Sequence, residues 1–259
     1  MKKSLTIVLS LLLAFCVYGQ DKKISGGLYL GTGLSWCSSD TKAVTRDGAK
    51  MNYGVGLTMD YNFVDNFGLS LSFGYQNLGS KLKYQYGAGE VLFNKAEIDR
   101  LIYVDSSSAV KYSLNCLELP IGLKGKTNEI EIGMIPFTFF LKAEVVPALV
   151  LSAKGNYLKG IGTQSEFLEP RAYENELITK DIKRFQLGWR VGGGMEMGLS
   201  GTTRLLVELY FNGGILDVDK TKCFTSKAEY VSSIGSLEQP STNPIIRISN
   251  VGLKVGVLF

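Results

Sequence analysis

Residues 51–63, MNYGVGLTMDYNF, carry Met51, Tyr53, Val55, Leu57, Met59, Tyr61 and Phe63 at alternate positions. Asn52, Gly54, Gly56, Thr58, Asp60 and Asn62 fill the positions between. Strict alternation over this length specifies a strand with two unlike faces. The open question is which face points inward. A soluble sheet buries its apolar face and wets the polar one. A barrel in the outer membrane inverts this, with apolar side chains on lipid and small or polar ones in the lumen.

The same pattern recurs and predicts eight strands. The first spans about 24–36, with Leu28, Leu30, Leu34 and Trp36 in phase, and the second is 51–63. The third, about 67–84, sets Phe67, Leu69, Leu71, Phe73 and Tyr75 against Gly68, Ser70, Ser72, Gly74 and Gln76. In the fourth, about 110–124, Leu117, Leu119, Ile121 and Leu123 oppose Glu118, Pro120, Gly122 and Lys124. Its upstream residues Tyr112, Leu114 and Cys116 have the opposite phase, which predicts a bulge near Cys116. The fifth covers about 137–152, the sixth 185–199, the seventh 203–216 and the eighth 245–259. Within the eighth, Ile245 to Ser249 do not hold the later phase, and their faces stay unassigned.

The connections alternate in length. Short links fall at 64–66 and 200–202, with a modest one near 125–135. Long ones fall at about 37–50, 85–109, 153–184 and 217–244. This order predicts an all-β fold: an eight-stranded antiparallel up-and-down transmembrane β-barrel. Three short periplasmic turns and four longer extracellular loops join its strands, with both termini on the periplasmic side.

The polar faces together hold Asp60, Glu118, Glu144, Glu196 and Glu208, and also Lys124, Lys142, Arg190, Arg204 and Lys254. Five acids and five bases sit there among many Gly, Ser, Thr and Asn. The outer faces of a soluble sandwich tend to carry long charged side chains instead. Small residues suit a crowded interior, and an eight-stranded barrel has a lumen just wide enough for side chains to fill. Balanced charges there predict a paired ion network and a closed barrel. The 13 Tyr and 13 Phe suit aromatic girdles at the membrane interfaces.

The chain ends agree with export. Met1-Lys2-Lys3, an apolar run from Leu5 to Val17 and the small Gly19 form a secretory signal over 1–19. The run is too short for a comfortable membrane span. The barrel domain then covers 20–259, read as one domain. The formal charge of +4 falls to +2 without Lys2 and Lys3, which argues against a nucleic-acid partner. The most apolar later stretch, 135–151, is interrupted by Lys142, Glu144 and Pro147 and is no transmembrane helix. At the other end, NVGLKVGVLF aligns Val251, Leu253, Val255, Val257 and Phe259 on one face. An alternating last strand closed by an aromatic residue resembles the assembly signal of outer-membrane barrels. The expected partners are therefore outer-membrane lipid and the barrel assembly machinery, and the expected location is the cell outer membrane.

Three segments carry a family likeness. LNCLELPIGLKG (114–125) resembles a strand of the PorT-like outer-membrane barrel proteins of Bacteroidota. FQLGWRVGGGMEMGLSGTTRLLVELYFNGGILDVD (185–219) resembles their Gly-Gly-Gly strand, tight turn and following strand, and ISNVGLKVGVLF resembles their closing strand. Leu209 stands where that family commonly has Arg. The resemblance implies a barrel of a family that includes a type IX secretion component, and hence other secretion-machinery proteins as partners.

Candidate chemistry is sparse. The chain has no His, which excludes a Ser-His-acid triad and any His-based acid–base site. RVGGGMEMG lacks the helix and the Lys-Ser/Thr of a phosphate loop. No Cys/His zinc spacing exists, and no cofactor is expected. Asp217, Asp219, Glu166, Glu169, Glu174 and Glu176 read as solvated loop acids rather than a cation site. After the signal, Cys37, Cys116 and Cys223 remain. Strands one and eight are neighbours in a closed barrel, so Cys37 and Cys223 lie on adjacent loops at the same rim. They are a candidate disulfide, with Cys116 free. The 85–109 loop, with Val91, Leu92, Phe93, Ile98, Leu101 and Ile102, is more apolar than a solvated loop requires. It is expected to fold over the barrel mouth or dock a partner. These features favour a non-enzymatic barrel, structural or secretion-associated, acting through its loops or outer wall. A small diffusion porin and a surface adhesin or ligand-binding barrel are the alternatives.

Overall fold

Every stave of the barrel turns its apolar residues outward and its small and polar residues inward. The protein is seen here as a computed structural model that describes residues 23–40, 44–84, 89–92, 101–104, 109–161, 171–180, 182–219 and 245–259. In chain order the strands are β1 (Ile24–Ser39), β2 (Val44–Val64), β3 (Phe67–Tyr84), β4 (Gly89–Leu92), β5 (Leu101–Val104), β6 (Ala109–Glu118) and β7 (Ile121–Lys126). They continue as β8 (Ile130–Ile132), β9 (Ile135–Ile161), β10 (Arg171–Leu177), β11 (Phe185–Ser200), β12 (Thr203–Gly214) and β13 (Ile246–Leu258). Neighbours pair antiparallel in the order β11, β12, β13, β1, β2, β3, β6, β9, and β9 pairs back with β11. Strands β6 and β7 form one stave, interrupted at Leu119-Pro120, where Pro120 offers no N–H to a ladder. The ring therefore has eight staves and no free edge.

First and last staves meet as expected, with Leu34 opposite Val251 and Leu28 opposite Val257. The ring closes elsewhere through Trp189 opposite Val145. At the periplasmic end the turns are Asp65-Asn66, Gly201-Thr202 and a longer link in which β8 pairs with the start of β9. Gly201 has φ 59°, a left-handed conformation that glycine adopts without strain. Beyond the outer end of the ring, β4 and β5 form a hairpin, and β5 and β10 both pair with β9.

The question posed by residues 51–63 is settled by burial. Met51, Tyr53, Val55, Leu57, Tyr61 and Phe63 are exposed, whereas Asn52, Thr58 and Asp60 are buried. The inversion is sharpest on β9, where Leu141 is 74% exposed and the adjacent Lys142 only 4%. Outward apolar residues on β9 run from Phe139 to Leu151. At a rise of ~3.3 Å per residue and a tilt of ~45° this belt is roughly 28 Å tall, close to the apolar band of a bacterial outer membrane. Trp36, the last outward apolar residue of β1, marks one edge of it. On the outer wall Trp189 and Trp36 flank Phe211, with ring centroids at 5.3 and 6.2 Å.

Two expectations need correction, and both fail for the same reason. The stretch 37–50 is mostly strand rather than a long loop, because β1 runs to Ser39 and β2 starts at Val44. Likewise β9 continues past residue 152 to Ile161. Near the outer end the barrel leaves the lipid, and the chemistry of its two faces changes places. Cys37, Val44, Leu78, Leu82, Leu114 and Cys116 point inward into an apolar cluster, while Arg46, Lys111 and Lys154 are exposed outside. A reader who follows the apolar face therefore loses the strand there.

That inversion also explains the apparent phase break at Cys116. Leu114, Cys116, Glu118, Pro120 and Lys124 are all buried on one continuous face. No residue is inserted in β6. The one-residue shift lies opposite it, on β9, where Asn115 pairs with Ser152 but Cys116 with Val150. Leu151 is the extra residue, and the inward series changes there from Val150 to Ala153. The unassigned start of the last stave resolves in the same way. Ile246 and Ile248 continue the inward face of Asn250, Gly252 and Lys254, and they join the apolar cluster.

Candidate functional site, the barrel lumen

Seen from the periplasmic end, the lumen is built in layers. A cavity of about 670 Å³ comes first, lined by Lys126, Glu129, Thr138, Glu196 and Arg204 among others. Phe140, Leu206 and Leu258 form a small apolar cluster near it. The ion network follows. Lys124, from the β7 part of the broken stave, donates to both Asp60 of β2 and Glu196 of β11. Lys142 of β9 reaches Asp60 at 3.8 Å and Glu208 of β12 at 3.5 Å. Lys254 of β13 donates to Glu208 at 2.9 Å.

Farther out, Arg190 of β11 pairs with Glu118 at 2.5 Å and lies 3.9 Å from Glu144. Gln76 links this layer to Tyr210, donating from its amide to Glu118 at 2.8 Å and accepting from the Tyr210 hydroxyl at 2.8 Å. Four of the inward cations face rings. Lys124 is 4.5 Å and Lys142 5.4 Å from the centroid of Phe140, while Arg190 and Lys254 each lie 4.8 Å from that of Tyr210. Desolvated cations over aromatic faces gain up to ~2 kcal/mol each. Strands β7 and β9 place Lys124 directly opposite Lys142. Asp60, which contacts both, removes the like-charge penalty of that register.

Of the ten lumen candidates, nine are buried and linked in these groups: Asp60, Glu118, Lys124, Lys142, Glu144, Arg190, Glu196, Glu208 and Lys254. Arg204 differs. It sits half-exposed at the periplasmic mouth, 3.3 Å from Glu196 and 3.6 Å from Glu129. Lys126 was missed from the sequence and lies 3.4 Å from Glu196. Its signal was available, since it holds the same phase as Lys124.

The outermost layer was not legible as a functional feature. Eleven buried residues, with Leu82, Leu114, Val150 and Ile178 among the most enclosed, form an apolar plug at the outer end of the lumen. Ser35 supports this plug by bridging to Gly79, donating to its carbonyl at 2.8 Å and accepting from its N–H at 2.9 Å. Cys37 and Cys116 are buried free thiols inside the plug. The proposed Cys37–Cys223 bridge is not tested by this placement. Cys223 itself lies outside the described residues. So do the signal segment 1–19, the side chains named in the 85–109 loop, Glu166 and Glu169, and the side chains of Glu174 and Glu176. Asp217 is engaged by Lys183 at 3.0 Å and by the Ile246 N–H at 2.9 Å. Among the described residues no cluster of His, Cys, Asp and Glu is arranged to hold a metal ion. Phe259 keeps the outward phase, and its backbone exchanges hydrogen bonds with Gly26 at 2.7 and 3.3 Å.

Among solved structures the chain is similar to the attachment invasion locus protein Ail of Yersinia pestis, at 11% identity over 92% of this chain and 99% of that one, with a TM-score of 0.35. It is also similar to OprG from Pseudomonas aeruginosa (13% identity, 91% and 94% covered, TM-score 0.41) and to Neisserial surface protein A (10%, 90% and 96%, TM-score 0.36). No curated protein matches the chain in sequence. The family pattern described as outer membrane protein beta-barrel domain matches residues 18–220, well over half of the chain. The chain belongs to that family, and it is an outer-membrane β-barrel.

Proposed function

We propose that this protein is a sealed, non-enzymatic outer-membrane barrel that acts through its extracellular loops and outer wall, as a structural or secretion-associated component of the PorT-like kind. The observation that carries this reading is the double closure of the lumen. Nine buried charges cross-link six staves through the middle of the bore, and an apolar plug closes its outer end. A solute would have to break ion pairs and then cross a dry layer. Removing one partner from a buried pair costs about 3–5 kcal/mol, so such openings are rare. The absence of His and the engagement of every lumen carboxylate with a cation favour a non-enzymatic role.

The test is planar-bilayer recording of the refolded full chain. The expected trace has no steady conductance, and a stable open channel of porin size would support the diffusion-porin alternative instead. The secretion assignment is tested separately. Crosslinking in intact cells, followed by purification in mild detergent, should recover secretion-machinery proteins with the barrel. Recovery of the assembly machinery alone would remove the type IX reading and leave a structural one.

A further inference from the structure

Above the lipid belt, the outer wall formed by β2, β3, β6 and β9 is basic. Its outward side chains include Arg46, Lys50, Lys81, Lys83, Lys111 and Lys154. Over the same stretches, 44–50, 77–84, 109–115 and 152–161, the sequence contains one acid, Asp47. The register concentrates the charge. Lys81 stands directly opposite Lys111, and Lys154 opposite Ser113, two residues from Lys111. Directly opposed side chains have Cβ atoms about 5 Å apart, and like charges in that position are destabilising. Inside the barrel the equivalent pair, Lys124 and Lys142, is neutralised by Asp60. Among the described residues no carboxylate pairs with Lys81, Lys83, Lys111 or Lys154. Among the described residues the outer cluster thus has no counter-anion like that of its inner analogue.

Its height identifies the missing anion. At the lower edge of the cluster, Lys50 crosses Gly79 and donates to Asn77 at 2.6 Å and Ser113 at 2.7 Å. Asn115 continues that polar row, accepting from Tyr75 at 2.8 Å and donating to Ser152 at 2.9 Å. Below the row come the lipid-facing residues of the belt. Arg46 lies 5.5 Å over the ring of Trp36, which belongs to the aromatic edge of that belt. The basic side chains therefore start where hydrocarbon ends and headgroups begin, and their long stems can lean toward that plane. We infer that this wall binds the phosphate groups of an anionic glycolipid of the outer leaflet, with Lys81 and Lys111 holding one phosphate between them. The inference needs only the outer-membrane location and stands whether or not the lumen conducts.

Native mass spectrometry of the full chain, folded in neutral detergent, tests it. The probes are bisphosphorylated lipid A and the same lipid with its phosphates removed. The phosphorylated form should remain bound at least ten times more than the dephosphorylated form. The double variant K81E/K111E should lose that preference while keeping the heat-modifiable gel mobility of a folded barrel. Should it fail to fold, K81Q/K111Q carries the same expectation. Lys23→Glu, at the periplasmic rim, should bind like wild type. Inorganic phosphate at millimolar concentration should not displace the lipid. Equal retention of both lipids, unchanged binding by the double variant, equal loss in Lys23→Glu, or displacement by inorganic phosphate would each overturn the proposal.

Discussion

Individual lumen residues differ in how replaceable they are. Arg190 is the cation that pairs with both Glu118 and Glu144. Lys124 shares its acids, since Asp60 also has Lys142, and Glu196 also has Lys126 and Arg204. Arg190→Met should therefore cost about 3–5 kcal/mol, the range for an orphaned buried charge, and Lys124→Met less. Urea unfolding in lipid vesicles measures both, and a larger loss for Lys124→Met would contradict this ranking. Tyr29 sets a different constraint. Its hydroxyl lies against Gly56 and Gly74, where an added Cβ would sit 2.5 and 2.4 Å away. Gly74→Val should prevent refolding, and the added change Tyr29→Ala should restore part of the yield. At the plug, Cys37 and Cys116 should resist maleimide in the folded barrel and react after unfolding. Labelling of Cys37 in the folded state would place it outside the plug.

At the level of whole strands, alternation survives even where its chemistry changes. Both β6 and β13 keep one inward face from the ion network into the plug, although the residues on that face pass from charged to apolar. Two strands shift phase: β9 through its extra residue Leu151, and β2 between Arg46 and Tyr53, where its register with β3 slips. The last strand also ends on a lipid-facing aromatic. Deleting Phe259 removes outward apolar surface at the seam with β1 and the backbone pair with Gly26. We expect the truncated chain to be inserted poorly and degraded in the periplasm. Outer-membrane fractionation reads this directly, and wild-type levels of the truncated protein would exclude a C-terminal assembly signal.

For the whole molecule, two closures act in series. Loosening either one should leave the barrel sealed. Leu82→Ser with Leu114→Ser admits water to the plug but leaves the ion network across the bore. Bilayer recordings of that variant should stay silent. Conductance should appear only when the plug variant is combined with loss of charges such as Arg190 and Glu118. Current through the plug variant alone would mean that the ion network does not block the bore.

The sequence by itself determined the eight strands, the inverted faces and the short turns that join the staves at one end. Period two is a local property, and lipid and lumen impose opposite chemistry on alternate residues of every stave. It also marked the lumen charges, because a charge within a lipid-crossing strand has nowhere else to go. Which charges meet was decided only by the tertiary structure. Asp60, Lys124 and Glu196 come from β2, β7 and β11 and converge across the bore, a relation no spacing along the chain encodes. The plug was hidden for a related reason. Leu82, Leu114, Val150 and Ile246 are far apart in sequence, and on each strand an inward apolar residue looks like a lost phase. Only ring closure, which stacks the outer ends of the staves around a common axis, makes those separate irregularities a single dry layer.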